Sequence, residues 1–155
     1  MPTALDVAKY ILSIANKDGD FISNLKLQKL LYYAQAWYLV NYEMTLFNEP
    51  IEAWELGPVV KSVYSEFKKF KASPIKYKST NNEDKVFTKD QICYLNEFYD
   101  VFSKFTAHEL VNMTHNDYPW KKAFQDKRDI SPNEMKKYYS NILKEHIGKC
   151  NGKKE

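Results

Sequence analysis

Helix starts recur along this chain and limit what it can fold into more than any other feature. Thr3-Ala4-Leu5-Asp6, Thr88-Lys89-Asp90-Gln91, Thr106-Ala107-His108-Glu109 and Ser131-Pro132-Asn133-Glu134 each place a hydroxyl three residues before an acid or amide. In such a capping box the hydroxyl accepts from an early helical N–H, and the second side chain reaches back to the N–H of the cap. Four of them demand several separate helices. The Ser131 box is the strongest, because Pro132 falls at the first helical position, where a missing N–H does no harm. The Thr3 box is weaker, since Asp6 is a short substitute for Glu or Gln.

Periodicity agrees with these starts. Val7, Ile11 and Ile14 share one face after Thr3; Ile92, Leu95, Tyr99, Phe102 and Phe105 advance by three or four after Thr88. Met135, Tyr138, Tyr139, Ile142 and His146 do the same after Ser131. Ser23 or Asn24 caps a further helix whose Leu27, Leu30, Leu31, Ala34, Trp37 and Tyr38 form a wide apolar stripe. Adjacent positions on a helix point about 100° apart. One member of each pair Tyr32-Tyr33 and Tyr138-Tyr139 is therefore expected at the surface.

The middle of the chain reads differently. Residues 50–56 suggest a short strand, with Ile51 and Ala53 on one face and Trp54 on the other. Gly57-Pro58 then breaks the chain and seeds a helix through Val59, Val60, Val63, Tyr64 and Phe67. The alternating Ile75/Tyr77 and Val86/Phe87 pairs suggest strands within 74–87 that form an antiparallel ribbon with 50–56. The expectation is one mainly α domain of six or seven helices with this small β element, spanning 1–147, and a flexible tail over 148–155.

Charge and cysteine usage narrow the function. Of 23 basic residues only Arg128 is arginine, and the net charge is +3. Lysine cannot supply the planar fork used for bidentate recognition of phosphate or guanine, so nucleic-acid binding is disfavoured. Lysines are nevertheless dense over 61–89, where eight face three carboxylates among Tyr64, Phe67, Phe70 and Tyr77. That cluster suits base stacking, an acidic protein partner or a solvated face over core aromatics. Cys93 and Cys150 form no CxxC pair, and Cys93 reads as a buried or half-buried free thiol. The N-terminus has no basic and apolar leader, and the apolar stretch from Leu30 to Val40 is too short to span a bilayer. A cytoplasmic protein without membrane contact is expected.

No motif carries obvious chemistry. There is no GxGxxG, Walker loop, HExxH or GxSxG among 155 residues with four glycines. His115 and Asp117 are the only local pair with acid–base or metal potential. They lack a third ligand, and His115 is equally suited to capping a helix or bonding within the core beside Pro119-Trp120. No catalytic residue, metal ligand or cofactor is expected.

Three ordered segments carry a resemblance. Leu25 to Trp37 resembles the LQKLLYYAQ helix of the Panacea antitoxin domain family, which includes SocA-like and GepA-like phage-associated proteins. Its quoted residues here are Leu27, Gln28, Lys29, Leu30, Tyr33 and Trp37. Pro50 to Val60 resembles the family's EAW-x-x-GPV segment through Trp54, Gly57 and Pro58, followed by Tyr64. Thr114-His115 and Pro119-Trp120 resemble its SH-x-x-x-PW segment. The resemblance covers roughly residues 3–145.

It implies a mostly helical, non-enzymatic antitoxin that binds a toxin encoded by a neighbouring gene, often on a prophage. Alternatively it implies an adaptor that hands the toxin to a ClpXP-type protease. Some relatives carry an added DNA-binding domain, for which a match beginning near Thr3 leaves no room; a regulator using the lysine cluster is the remaining alternative. These motif residues are structural or partner-binding. Lys29 is expected to bury its stem and bring its ammonium to a groove edge. Oligomeric state is left open.

Overall fold

The structure, a computed structural model, describes residues 1–142. Its elements are α1 (Ala4–Lys17), α2 (Asn24–Tyr42), β1 (Glu52–Trp54), β2 (Gly57–Val59), α3 (Lys61–Phe67), α4 (Lys89–Phe102), α5 (Ala107–Asn116), α6 (Tyr118–Asp126) and α7 (Pro132–Ile142). Short 3-10 turns at Lys68–Phe70 and Glu83–Val86 complete them. The mainly α class with a small antiparallel sheet is as expected. His146 and the tail at 148–155 lie outside the described residues.

The caps form as the sequence demands, with one exception. Thr3, Thr88 and Thr106 each make both bonds of the box at the head of α1, α4 and α5. At Ser131 the hydroxyl still accepts from Glu134 N at 3.3 Å. The Glu134 carboxylate turns instead to the guanidinium of Arg128, with both oxygens 3.2 Å from Nη2. For the same carboxylate, a charged guanidinium outcompetes a neutral backbone N–H.

At the centre is α2. It is touched by α1, α3, α4, α5, α7 and β2. A helix enclosed on all sides has no solvent face to reserve for polar groups. Tyr32 and Tyr33 are accordingly both buried, against the expectation that one would reach the surface. Tyr139 is buried as well, and Tyr138 is half-buried. Each hydroxyl finds a partner. Tyr33 and Tyr139 approach Asp117 Oδ2 at 2.9 and 2.6 Å, and Tyr138 lies 3.3 Å from Oδ1. Tyr139, with one proton to give, donates it to the carboxylate and accepts from Tyr32 at 3.1 Å. Burial, reinforced by the Asp117 charge, raises the Tyr33 and Tyr139 hydroxyls far above the usual phenol range.

The β element differs in its partner. β1 pairs antiparallel with β2 in the register Glu52↔Val59, Ala53↔Pro58 and Trp54↔Gly57, so the strand folds back on the next residues rather than on 74–87. Gly57-Pro58 continues a strand and does not start α3, which begins at Lys61. The pairing is local because only two residues, Glu55 and Leu56, separate the strands. Pro58 is tolerated because neither edge of a two-stranded ribbon needs its N–H. Within 74–87 only Pro74 joins a bridge, to Ser23, and 83–86 is a 3-10 turn. Cys93 is exposed on α4 and disulfide-bonded, so it is neither buried nor a free thiol. The other cysteine, Cys150, lies outside the described residues.

Candidate functional site

The three sequence segments meet at the β1–β2 hairpin. From α2, Gln28 and Lys29 reach beneath it. Gln28 Oε1 accepts from Val60 N at 2.9 Å, while its amide donates to Asn24 Oδ1, whose own amide donates to the Tyr64 carbonyl. These bonds replace the side-chain cap that α3 lacks. A buried backbone N–H without a partner would cost on the order of 1–3 kcal/mol.

Lys29 departs from expectation. It is fully buried rather than reaching a groove edge, and its Nζ donates to the Pro58 carbonyl at 3.0 Å. Burial pulls its pKa down to about 7. Among the described residues it has no carboxylate partner to offset that desolvation.

Directly above the Lys29 stem sits Gly57, at φ +113°. A Cβ there would lie 2.7 Å from Lys29 Cε and 2.9 Å from Thr114 Oγ1. Glycine is required twice, once by its backbone angle and once by the close approach.

The far side of the hairpin is held from α5 and α6. Trp120 Nε1 donates to the Trp54 carbonyl at 2.9 Å. His115 Nε2 lies 2.9 Å from the Glu55 carbonyl. A carbonyl only accepts, so this nitrogen carries the proton. The imidazole stacks on Trp120 with centroids 4.3 Å apart, and Trp120 stacks on Phe124 at 4.8 Å. His115 therefore buttresses a turn, and its Nε2 is occupied by a main-chain bond. Among the described residues no group of three or more His, Cys, Asp or Glu is placed to hold a metal ion.

The remaining motif residues divide by role. Leu27 and Leu30 are fully buried in the core, Pro119 is buried in the first turn of α6, and Tyr33 serves Asp117. Trp37 sits edge-on against Phe102 at 4.8 Å, away from the hairpin. Trp54 is half-buried, edge-on to Tyr64 at 5.0 Å, with its Nε1 on Glu52 Oε1 at 2.8 Å.

Thr114 of the third motif and Asp117 beside it do comparable work, as do Asn24 and Gln35, which the motif residues do not include. Gln35 Oε1 accepts from Leu46 N at 2.6 Å and its amide donates to the Phe47 carbonyl at 2.8 Å. Its signal was a polar residue inside the longest apolar stretch.

The hairpin presents a mixed face outward. Leu56 at the turn is 56% exposed and Phe124 is 43% exposed. Between Trp54, Phe124, Lys127 and Arg128 lies a cleft of about 390 Å³. The interleaved aromatics of the lysine cluster are at least partly withdrawn from the surface. Phe67 is buried, Tyr64, Phe70 and Tyr77 are half-buried, and the lysines around them are exposed.

Comparison with known proteins agrees with the motif reading. The family described as antitoxin SocA-like, Panacea domain, matches residues 27–121. Antitoxin SocA of Caulobacter vibrioides (strain NA1000 / CB15N) is 52% identical over 46 residues, 30% of this chain and 24% of that protein. The chain thus spans about a quarter of the length of that relative in the matched region. No solved structure matches.

Proposed function

This chain belongs to the antitoxin SocA-like, Panacea domain family, and from that premise we propose that it neutralises a cognate toxin protein by binding it directly. The toxin is the product of a neighbouring gene, in a phage-associated pair acting in the cytoplasm, and the antitoxin performs no chemistry of its own. No helix among the described residues is long and apolar enough to cross a membrane.

One observation supports this reading most. All three family segments are used to hold one hairpin rigid, and that hairpin exposes Leu56 and half of Trp54 beside Phe124 and Arg128. A preorganised aliphatic and aromatic patch with a rim of mixed charge, Glu52 and Asp129 beside Lys127 and Arg128, is the composition of a protein-binding hot spot. The nucleic-acid alternative is less well supported, because Phe67 is buried and Tyr64, Phe70 and Tyr77 are half-buried among the lysines.

The test is co-expression with the neighbouring gene product in a host that the product alone arrests. Restored growth with co-purification of the two chains at near-equal stoichiometry is the expected result. Failure of both rescue and co-purification rejects the proposal. Rescue accompanied by a shortened, ClpXP-dependent toxin half-life would replace inhibition by proteolytic delivery as the mechanism.

A further inference from the structure

A second surface, sharing no lining residue with the hairpin cleft, lies where the end of α1 meets the segment after α3. Phe21, Pro74, Ile75, Tyr77 and Asn16 line a groove of about 600 Å³ there, with Lys76 and Lys78 on its wall. Phe21 is 62% exposed, although it is large and wholly apolar.

The chain bordering the groove is irregular, but its burial alternates as an extended segment's would. Ile75 is buried and Tyr77 half-buried, while Lys76 and Lys78 between and beyond them are exposed, the alternation of an extended segment. It is pinned at one end by Ile75 N donating to the Ile22 carbonyl at 2.8 Å, and further along by the Asn16 amide on the Tyr77 carbonyl at 2.5 Å. Among the described residues the backbone N–H groups of Lys76, Tyr77 and Lys78 find no protein acceptor.

The charge of the groove is one-sided. Neither Lys76 nor Lys78 is in an ion pair among the described residues, and no carboxylate lines the groove. Two of the nearby acids, Glu83 and Asp20, are engaged elsewhere, and a third, Asp18, is exposed at the end of α1 outside the groove lining. Glu83 accepts from the Tyr77 hydroxyl at 2.6 Å, Ser79 Oγ at 2.9 Å and Thr80 N at 2.9 Å. Partial burial works to raise the Glu83 carboxyl, but these hydrogen bonds outweigh it and hold it at about 2. Asp20, next to Phe21, takes the Tyr99 hydroxyl at 3.0 Å.

We propose that this groove is a docking site for an extended acidic peptide segment of a partner protein. One large apolar side chain enters beside Phe21, the peptide main chain pairs along Lys76–Lys78, and flanking carboxylates meet the two lysines. Pairing along an open edge supplies main-chain hydrogen bonds, and the pocket and charges supply selectivity. The proposal does not depend on the toxin reading, because it concerns a different face.

A phage-displayed library of random dodecapeptides, panned on the intact protein, tests it. Enriched peptides are expected to carry two or more Asp or Glu around one large apolar residue. The best synthetic peptide should bind less tightly as salt is raised, by about fivefold between 50 and 300 mM. Phe21→Ser, and separately the double variant Lys76→Glu with Lys78→Glu, should each weaken it by roughly tenfold while leaving the melting curve in place, since all three side chains are exposed.

Absence of enrichment overturns the proposal, as does enrichment of basic or neutral peptides, or binding indifferent to these substitutions. A concentration-dependent dimer abolished by Phe21→Ser would assign the groove to a second copy of the chain instead. Tight binding of an oligo-dT probe abolished by the double lysine variant would assign it to single-stranded nucleic acid.

Discussion

The hairpin and the Lys76–Lys78 edge are both short stretches of irregular chain beside helices, and they are held in opposite ways. The hairpin is bonded through Gln28, Lys29, His115 and Trp120, each reaching its main chain from a helix. Among the described residues the edge is pinned by Ile22, Asn16 and the Tyr77 hydroxyl on Glu83, and it leaves the N–H groups of Lys76 and Lys78 open. Buried main chain must have every polar group satisfied, whereas main chain at the surface can leave that to water or a partner. The difference separates a region built for rigidity from one left available.

The largest effect is expected at Trp120. Trp120→Ala removes a buried ring stacked on both His115 and Phe124 and should cost about 3–5 kcal/mol by urea denaturation. Gly57→Ala follows closely. It forces a left-handed angle on alanine and drives a methyl into Lys29 and Thr114, for a loss of about 3 kcal/mol in the same assay. Trp54→Ala should cost less than Trp120→Ala, because Trp54 is only half-buried; equal losses would mean that the hairpin face is not open.

Lys29 gives a pH signature that nothing at the edge can give. Its pKa is about 7 in the folded chain and 10.5 as the ordinary value. Between those values the unfolded chain binds the extra proton, so stability should rise with pH from about 7, by up to roughly 1.4 kcal/mol per pH unit. Below about 7 both states are protonated and the full penalty is present. Above about 10 the buried tyrosines, whose pKa values are raised, reverse the slope, because the unfolded chain loses its phenolic protons first. Lys29→Met should flatten the rise between pH 7 and 9.5. A parent protein with no such rise would show that Lys29 reaches water.

At the edge the effects should be small. Tyr77→Phe removes one bond to Glu83 and should cost about 1 kcal/mol while moving the Glu83 titration up from about 2, followed by NMR. The Lys76→Ala and Lys78→Ala variants should stay within about 0.5 kcal/mol of the parent.

Much of the fold was legible because helix signals are local. A cap and its partner are three residues apart, so Thr3, Thr88 and Thr106 could be paired from the sequence alone. The Ser131 box lost its second half to Arg128, which no rule about helix starts takes into account. The convergence of Gln28, Trp54 and His115 could be anticipated only as a set of family motifs. Their spacing says nothing about Lys29 lying under Gly57, or Trp120 bonding the Trp54 carbonyl, across 28 and 66 positions.

Local sequence signals set six of the described helices, with approximate ends, and the family to which the chain belongs; α6 was not among them. Tertiary structure alone decided that both Tyr32 and Tyr33 are buried, that Lys29 loses its water, that β1 pairs with β2, and that the edge at Lys76–Lys78 stays open. The first set depends on side chains within a turn of one another. The second depends on enclosure: once α2 is surrounded, every polar group it carries must find a main-chain or side-chain partner inside, and the segments beyond its reach remain free to find one outside.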